Sequence, residues 1–503
     1  MNKLRRLAGE TVIYGLSTVL GRFLNFLLVP FYTRIFHPEE YGVVTELYAY
    51  ITFLLIIYTY GMETAFFRFI SKEKNSVQTF STSFYSLLGS SLIFSSLLWF
   101  FAEPAAIALD YPNQAHLIQW TGLILFFDTL AIIPFAWLRY ESRAFKFSLL
   151  KLGHIVINIA FNVIFLVVFP WMVAQPGYES VISIFYSPEI GPGYVFLANM
   201  LASALIIPFF VKEFSLLRLY FNPALWKRMV TYSLPLVVIG LAGMINEVSD
   251  RLMLKHLLPY ESQEARMHDL GVYGACYKLS IFMTLGIQAF RYAAEPFFFK
   301  EAEEENAPKT YATVLNYFVA AGSLVFLGIS LFLDLIKHII DSAYHEGIII
   351  VPILLMANLF LGIFYNTSVW YKLTNKTGIG AIISFSGAAI TIVGNLLLIP
   401  LIGYIGAALT TLVCYVFMSV TSWRVGRKHY YIPYDIGLIS KILFSAVLLL
   451  LIAEGINYYL DWGLIPAYLT RIAALGLYCR LLMMLLNTSL KGLLALIIPR
   501  RFG

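Results

Sequence analysis

Charge is the scarcest property of this 503-residue sequence. Only 13% of its residues are Asp, Glu, Lys or Arg, whereas about 25% is usual for a soluble protein. Apolar residues make up 59% of the chain. A soluble protein of this size needs charged side chains to cover its surface, so the composition excludes a set of soluble domains. The apolar residues form long continuous runs rather than alternating with polar ones, which predicts an all-α polytopic membrane protein instead of a membrane β-barrel.

Paired cysteines and enzymatic motifs are also missing. The three cysteines, Cys276, Cys414 and Cys479, lie in separate apolar runs, which excludes a disulfide framework and a CxxC metal or redox site. The sequence contains no GxxxxGK(S/T) phosphate loop, no HExxH metal motif and no GxSxG nucleophile motif. We therefore predict a protein that is not an enzyme, with no catalytic residue, no metal, no cofactor and no nucleic-acid partner.

Apolar runs of the length that a membrane span requires fill most of the chain. About 20 residues cross the hydrocarbon core of a bilayer, and counting such runs predicts fourteen spans. We expect the first run to be retained, because it is too long for a signal peptide. The connections leave no room for a soluble domain. The predicted spans are 9–36, 43–69, 80–102, 114–138, 147–171, 193–211, 229–256, 271–299, 310–334, 346–371, 377–399, 402–424, 436–459 and 465–487.

The placement of basic residues predicts the topology. Most of the 35 Lys and Arg residues fall on alternate connections, whereas residues 172–192 contain none. The connection between spans 4 and 5, for example, is assigned Arg139, Arg143, Lys146 and Lys151. Cytoplasmic connections carry the excess of Lys and Arg. We therefore predict fourteen spans, or twelve if one pair is misassigned, with both termini in the cytoplasm.

A weak internal repeat predicts two lobes. Span 2 opens with GVVTELY at residues 42–48 and closes with GMETAFFRF, while span 8 opens with GVYGACY at residues 271–277 and closes with YAAEPFFFK. A period of six helices between spans of the same orientation indicates two lobes related by an axis along the membrane normal. We predict an N-lobe at residues 1–222, a C-lobe at 223–430, and two C-terminal helices with a tail at 431–503.

Ionisable residues inside spans are costly, so they are candidates for a cavity that binds a substrate. Arg22 lies in the middle of span 1, on the same helical face as Asn25. Span 8 carries Lys278 near its outer end and then Gln288 and Arg291. Arg binds phosphate groups well, so these positions predict contacts with an anionic substrate such as a pyrophosphate. A structural ion pair is the alternative for Arg22, and a local pair with Glu295 is the alternative for Arg291.

Buried acids are candidates for gating or ion coupling. Glu63 and Glu295 occupy equivalent places in the repeat, and we predict that they carry protons, the alternatives being ion pairs with Arg68 and Arg291. Asp128 is a further acid deep in a span. Span 7 carries three more charged residues, which predict either a gate or an internal network: Glu247, Asp250 and Arg251. The spacing of His154, Asn158 and Asn162 favours contacts between helices.

Two stretches resemble a known family. The segment YGLSTVLGRFLNFLLVPFYTRIFHPEEYGVVTELYAY is similar to the first two helices of the polysaccharide transporter branch of the multidrug/oligosaccharidyl-lipid/polysaccharide exporter superfamily. The segment INEVSDRLMLKHLLPYESQEARMHDLGVYGACYKLS resembles its junction between helices 7 and 8, although the Glu261–Asp269 loop is longer than usual. The resemblance covers these two stretches in motif and nearly the whole chain in topology.

The resemblance implies a flippase of the bacterial cytoplasmic membrane. Such a protein moves an undecaprenyl-pyrophosphate-linked oligosaccharide of O-antigen, capsule or exopolysaccharide outward by alternating access. It implies two six-helix lobes around a central cavity, two further helices beside it, and a basic residue on helix 1, which Arg22 matches. The partners implied are the lipid-linked substrate, the bilayer and polysaccharide polymerase or assembly proteins.

Three alternatives stay open. An ion-coupled multidrug antiporter of the same fold would favour acidic cavity residues, which Arg22 opposes. A membrane-embedded polysaccharide polymerase or ligase needs catalytic groups on an outer loop, but residues 172–192 contain no Lys, Arg or His. A structural membrane scaffold would not need a deep arginine.

Overall fold

The computed structural model describes residue 15 and residues 17–71, 73, 75–460 and 462–489, without the side chains at 179, 180, 292, 293, 295 and 296. All regular structure in this part of the chain is helical. Eleven of its helices are long and apolar enough to cross a membrane, and one bent pair makes a twelfth. The prediction of an all-α polytopic membrane protein is therefore confirmed.

The contacts divide the chain into two compact units. Unit 1 comprises Met1–His256 with Tyr260–Gly271, and unit 2 comprises Leu257–Pro259 with Val272–Gly503. The three-part division at residues 222 and 430 stays a prediction.

The helices up to the junction of the units are Leu28–Thr33 (α1), Pro38–Thr59 (α2), Met62–Ile70 (α3), Ser76–Phe100 (α4), Ala102–Ala108 (α5), Ala115–Tyr140 (α6), Ala144–Val163 (α7), Phe169–Val173 (α8), Glu179–Ile182 (α9), Gly193–Ile206 (α10), Val211–Phe214 (α11), Pro223–Leu257 (α12) and Gln263–Leu279 (α13). A π-turn joins α7 to α8, and a 3₁₀ turn joins α10 to α11. Residues 17–26, which precede α1, are also helical.

The remaining helices, all in unit 2, are Ile281–Glu301 (α14), Ala307–Leu331 (α15), Leu333–Ile336 (α16), Ile350–Thr367 (α17), Val369–Leu373 (α18), Thr377–His429 (α19), Ile436–Leu460 (α20) and Leu464–Leu485 (α21). A run of 3₁₀ helix at Ser342–Ile349 precedes α17.

Helix α19 contains two predicted spans. Its 53 residues include a break at Ile402 and Gly403, where Gly403 has a φ of 60°. At 1.5 Å per residue the helix extends over about 80 Å, whereas a bilayer core is about 30 Å thick. Two crossings that meet at Gly403 therefore agree with the predicted spans 377–399 and 402–424.

Span 8, predicted at residues 271–299, contains a bend. Gln263–Leu279 and Ile281–Arg291 are bent by 46° at Ser280. The hydropathy of residues 271–299 is continuous across this position, so the apolar pattern does not reveal the bend.

A break between α2 and α3 positions one acid of the candidate site. Tyr60 and Gly61 both adopt positive φ, at 32° and 68°, which ends α2 and begins α3. A Cβ atom on Gly61 would lie 3.3 Å from Ser233 Cβ, so α12 packs closely against the break. Glu63 consequently lies in the first turn of α3.

An aromatic core holds α3, α4 and α6 together beside this break. The rings of Phe80 and Trp137 lie 4.8 Å apart, and Phe66 packs edge-on against Phe80. All three side chains are buried. Their packing fixes the end of α6 that carries Arg139.

Ion pairs join the last two helices to each other and to α16 within unit 2. Arg471 of α21 donates to Glu454 of α20 at 2.9 Å and to Asp334 of α16 at 2.6 Å, and Tyr468 also donates to Asp334. Burial alone would raise the pKa of Asp334, but these hydrogen bonds and the Arg471 charge outweigh burial and lower it.

Gly42 and Gly271, which begin the two repeated sequences, allow two helices to pack closely inside unit 1. A Cβ atom on Gly271 would lie 1.8 Å from the Pro38 carbonyl oxygen, and one on Gly42 would lie 2.3 Å from that of Met267. Backbone atoms of α2 and α13 therefore approach more closely than any side chain permits.

Gly271→Ala is expected to destabilise the protein by about 1–3 kcal/mol, because the added methyl group forces the two backbones apart. Its effect is measured as the thermal midpoint of the purified protein in detergent. Gly286→Ala is the matched control, since no atom lies within 4 Å of its Cβ position. Equal midpoints for the two variants would show that the contact does not exist.

Candidate functional site

A cavity of about 320 Å³ with several ionisable residues in its lining lies within unit 1. Helices α2, α3, α6, α7 and α10 form its walls. The lining residues are Leu55, Glu63, Asp128, Ala131, Ile132, Phe135, Arg139, Phe147, Lys151, His154 and Ile206. Five of these eleven side chains are ionisable, which is exceptional for helices that are otherwise apolar.

Glu63 and Arg139 form an ion pair at one side of the cavity. The Arg139 Nη2 group donates to Glu63 Oε1, and the guanidinium lies over the ring of Phe67 at 4.7 Å. The two side chains are 36% and 44% exposed, for Arg139 and Glu63 respectively. An ion pair this exposed contributes little to stability, about 0–1 kcal/mol, so it can exchange partners at low cost.

The partner of Glu63 corrects one alternative drawn from the sequence. Arg68 lies over the ring of Tyr232 at 4.0 Å, while Glu63 pairs with Arg139. Five residues separate Glu63 from Arg68, which places them about 140° apart around a helix. Residue spacing therefore disfavours the local pair.

A hydrogen-bonded chain occupies another wall. Ser203 Oγ donates to Asp128 Oδ1 at 2.7 Å, and His154 Nε2 lies 3.1 Å from the same hydroxyl oxygen. A serine hydroxyl has one proton to donate. Since that proton goes to Asp128, His154 must carry a proton on Nε2 and donate it to Ser203. The acid, the hydroxyl and the imidazole thus form one directed chain.

Lys151 stands apart from these acids. Its ammonium lies 4.5 Å from the centroid of the Phe135 ring, and its side chain is exposed. No carboxylate in the described part of the chain lies within 4.0 Å of Lys151 Nζ. The cavity therefore presents one cation without a direct counter-ion, next to a second cation, Arg139, in an exchangeable pair. Such a site can bind an anion.

Two predicted site residues, Arg22 and Asn25, lie on the helix that precedes α1. Both side chains are exposed. This helix packs on α7, because a Cβ atom on Gly21 would lie 3.0 Å from Ile155 Cδ1. Further along, Tyr32 donates to Asn162 at 2.9 Å. The predicted role of the Asn stripe in contacts between helices is thereby confirmed, whereas His154 of that stripe lines the cavity instead.

Three further predicted site residues, Lys278, Gln288 and Arg291, lie in unit 2. The Arg291 guanidinium lies over the ring of Tyr365 at 4.1 Å and lines a small pocket that also contains Lys372. Gln288 is half-buried and Lys278 is exposed. The Glu295 side chain lies outside the described residues, so its predicted role stays a prediction.

The acidic and basic residues of span 7 do not line the cavity of unit 1. Asp250 is 3% exposed and accepts a hydrogen bond from the Arg251 backbone N–H at 2.8 Å. Glu247 is exposed on the same helix. Their predicted roles as a gate stay predictions.

A buried cluster in unit 1 was not predicted. Lys255 of α12 donates to Glu46 of α2 at 3.1 Å, and both side chains are fully buried. Tyr111 also donates to Glu46, and Lys255 donates to the Leu109 carbonyl oxygen. Burial and the Glu46 charge both raise the pKa of Tyr111, which keeps this phenol a hydrogen-bond donor. The sequence contained one signal for this cluster, because Lys255 lies inside the apolar run at 229–256.

Comparison with known proteins identifies the family and the fold. The family described as "Polysaccharide biosynthesis protein" matches residues 7–301. The succinoglycan biosynthesis transport protein ExoT of Rhizobium meliloti (strain 1021) is 30% identical over 102 residues. That alignment covers 20% of this chain and 20% of ExoT, so it spans a fifth of the relative's length.

Solved structures share the architecture at low sequence identity. The lipid II flippase MurJ, in an inward closed conformation, aligns with a TM-score of 0.69 and 13% identity over 94% of this chain and 99% of that chain. A multidrug resistance MATE transporter in an inward-facing conformation aligns with a TM-score of 0.62 and 13% identity, over 84% and 96%. Identities this low establish the fold alone.

Proposed function

This chain belongs to the polysaccharide biosynthesis protein family, within the polysaccharide transporters of the multidrug/oligosaccharidyl-lipid/polysaccharide exporter superfamily, and on that premise we propose that it is a flippase. Its substrate is an oligosaccharide linked through pyrophosphate to undecaprenol, moved from the inner to the outer leaflet of the bacterial cytoplasmic membrane. The family match over residues 7–301 carries this proposal.

The charges inside unit 1 support an anionic substrate. Arg139 and Lys151 line a cavity among helices that are otherwise apolar. An arginine in a span is retained at a cost, and its planar guanidinium suits the oxygen atoms of a phosphate group. A lipid-linked pyrophosphate supplies such oxygen atoms together with a tail that stays in the bilayer.

The residues singled out from the sequence keep their proposed roles. Those proposed to contact substrate are Arg22, Asn25, Lys278, Gln288 and Arg291. Those proposed for gating or coupling are Glu63, Asp128, Glu247, Asp250, Arg251 and Glu295. Glu63 has Arg139 as its partner, so its proposed role in coupling requires this ion pair to open.

An ion-coupled multidrug antiporter is the second candidate. The presence of Glu63 and Asp128 in one cavity favours it, because acids in a transporter attract cationic drugs and coupling ions. The two cations in the same cavity oppose it. The two functions differ in what a cell lacking the protein accumulates.

Deletion of the gene separates these candidates. For a flippase, lipid-linked repeat units should accumulate on the cytoplasmic leaflet and surface glycan should be lost, with both effects reversed by the wild-type gene. A drug antiporter predicts intact glycan and increased sensitivity to cationic drugs. A polymerase predicts single repeat units at the cell surface, and this result would also reject the flippase.

The proposed orientation has both termini in the cytoplasm. Reporter fusions at Pro176 and Lys428 are expected to lie on opposite sides of the membrane, because the connection at 172–192 lacks basic residues and the end of α19 is rich in them. A periplasmic phosphatase and a cytoplasmic fluorescent protein give complementary signals. Reporters that place both positions on one side would reject this orientation.

A further inference from the structure

Three other cations on the helices that the structure describes have a carboxylate partner, whereas Lys151 has none within 4.0 Å. Lys255 has Glu46, Arg471 has Glu454 and Asp334, and Arg139 has Glu63. Lys151 instead contacts an aromatic ring, at Phe135. A cation inside a membrane span without a direct counter-ion is unfavourable unless an anion joins it. Since no carboxylate of the described residues lies within 4.0 Å of Lys151 Nζ, the position points to a negatively charged ligand.

Arg139 supplies the second half of such a site. It lines the same cavity, and among the described residues its one ion pair is the half-exposed contact with Glu63. A guanidinium binds phosphate oxygen atoms through two parallel N–H groups, while an ammonium acts as a point charge. The guanidinium of Arg139 and the ammonium of Lys151 together match a group that carries two phosphates.

The carboxylate of Asp128, which would repel an anion, already accepts a hydrogen bond. Asp128 accepts a hydrogen bond from the Ser203 hydroxyl group, and His154 donates a hydrogen bond to the same serine. This chain directs the Asp128 charge into a hydrogen bond with α10. Glu63 is the acid left to compete for Arg139, so an arriving anion must displace Glu63 from the guanidinium.

The size of the cavity limits what it can hold. Its volume of about 320 Å³ is at the lower end of the roughly 300–1,000 Å³ found for small-ligand sites. A diphosphate group fits within that space, but an oligosaccharide together with a prenyl tail does not. The cavity is thus a subsite for the charged group of a larger molecule.

We infer that the cavity of unit 1 is a diphosphate-binding subsite in which Lys151 and Arg139 hold the phosphate oxygen atoms and Glu63 competes for Arg139. This inference deepens the proposed flippase function and rests on it for the identity of the ligand. The same chemistry recognises a free diphosphate, so the source of the diphosphate is a separate question.

Calorimetric titration of the full-length protein in nanodiscs tests the subsite with two probes. Farnesyl diphosphate represents a prenyl-linked source and inorganic pyrophosphate represents a free one. Tighter binding of farnesyl diphosphate assigns the site to a lipid-linked ligand, and equal binding assigns it to the diphosphate group alone. Absence of binding by both probes would overturn the inference.

Three variants test the named residues. Lys151→Gln is expected to weaken binding about tenfold or more, because it removes the cavity cation that has no direct counter-ion among the described residues, and Lys151→Arg is expected to retain binding. Lys212→Gln removes an exposed cation outside the cavity and should leave the affinity unchanged. An unchanged affinity for Lys151→Gln would overturn the inference.

Glu63→Gln distinguishes competition from structural damage. Removal of its charge releases Arg139, so diphosphate should bind several-fold more tightly than to the wild type. A merely structural role for Glu63 predicts weaker binding, and that result would contradict the exchange. If binding follows these expectations but the wild-type protein flips no lipid-linked oligosaccharide, the subsite stands and the proposed flippase function fails.

Discussion

Lys255→Met is expected to lower the free energy of unfolding of unit 1 by about 3–5 kcal/mol, the usual effect of removing one partner from a buried ion pair. Glu46 and Lys255 are both fully buried, so the substitution leaves an uncompensated carboxylate away from water. It also removes the donor to the Leu109 carbonyl oxygen. The measurement is the thermal midpoint of the purified protein, together with its yield in the membrane.

A second substitution separates the charge from the packing. Glu46→Gln combined with Lys255→Met removes both charges, and the amide still accepts the hydrogen bond from Tyr111. Replacement of both partners of a buried ion pair is often neutral, so the double variant should recover most of the lost stability. The assignment fails if Lys255→Met is as stable as wild type, or if the double variant is less stable than the single one.

Arg22→Ala is expected to abolish glycan export while the protein still inserts in the membrane. Arg22 lies in the middle of the first predicted span, its side chain is exposed, and its helix packs on α7, which carries Lys151. A guanidinium at that depth needs an anionic or polar partner. The alanine variant lacks the guanidinium, and because the side chain is exposed the substitution creates no cavity in the core. Surface glycan in a deletion strain, normalised to the amount of inserted protein, measures the effect.

Arg34→Ala is the matched control for Arg22→Ala. Arg34 follows α1 directly and donates to the Pro30 carbonyl oxygen at 2.7 Å, on an exposed surface. We expect near-normal export from this variant and partial export from Arg22→Lys, which keeps the charge but not the fork. Normal export by Arg22→Ala would remove Arg22 from the site.

The helices were predictable because membrane insertion requires long apolar runs. Both halves of α19 were predicted as separate spans although one helix assignment covers them, because the apolar run is long enough for two crossings. The bend at Ser280 was not predicted, because the predicted apolar run at residues 271–299 continues across it.

The site was predictable only in part, for reasons of side-chain direction and sequence distance. Glu63 and Asp128 were predicted from the cost of an acid inside a span. Arg139 and Lys151 were assigned to the basic side of the topology, because the positive-inside rule counts charges and ignores which way a side chain points. They line a cavity.

Sequence spacing also cannot predict ion pairs between residues that are far apart in the sequence. Glu46 and Lys255 lie 209 residues apart, so no helical spacing connects them. Arg139 and Glu63 lie 76 residues apart, and only the packing of α3 against α6 joins them.

The most direct test of the central claim is the flipping of a fluorescent undecaprenyl-pyrophosphate oligosaccharide in proteoliposomes, detected by a reagent that reaches only the outer leaflet. The purified wild-type protein should increase the rate of exchange between leaflets well above that of protein-free vesicles. Lys151→Gln should reduce that rate, whereas Lys212→Gln should not. A rate equal to that of protein-free vesicles, with wild-type protein inserted and folded, would contradict the proposal that this chain is a flippase.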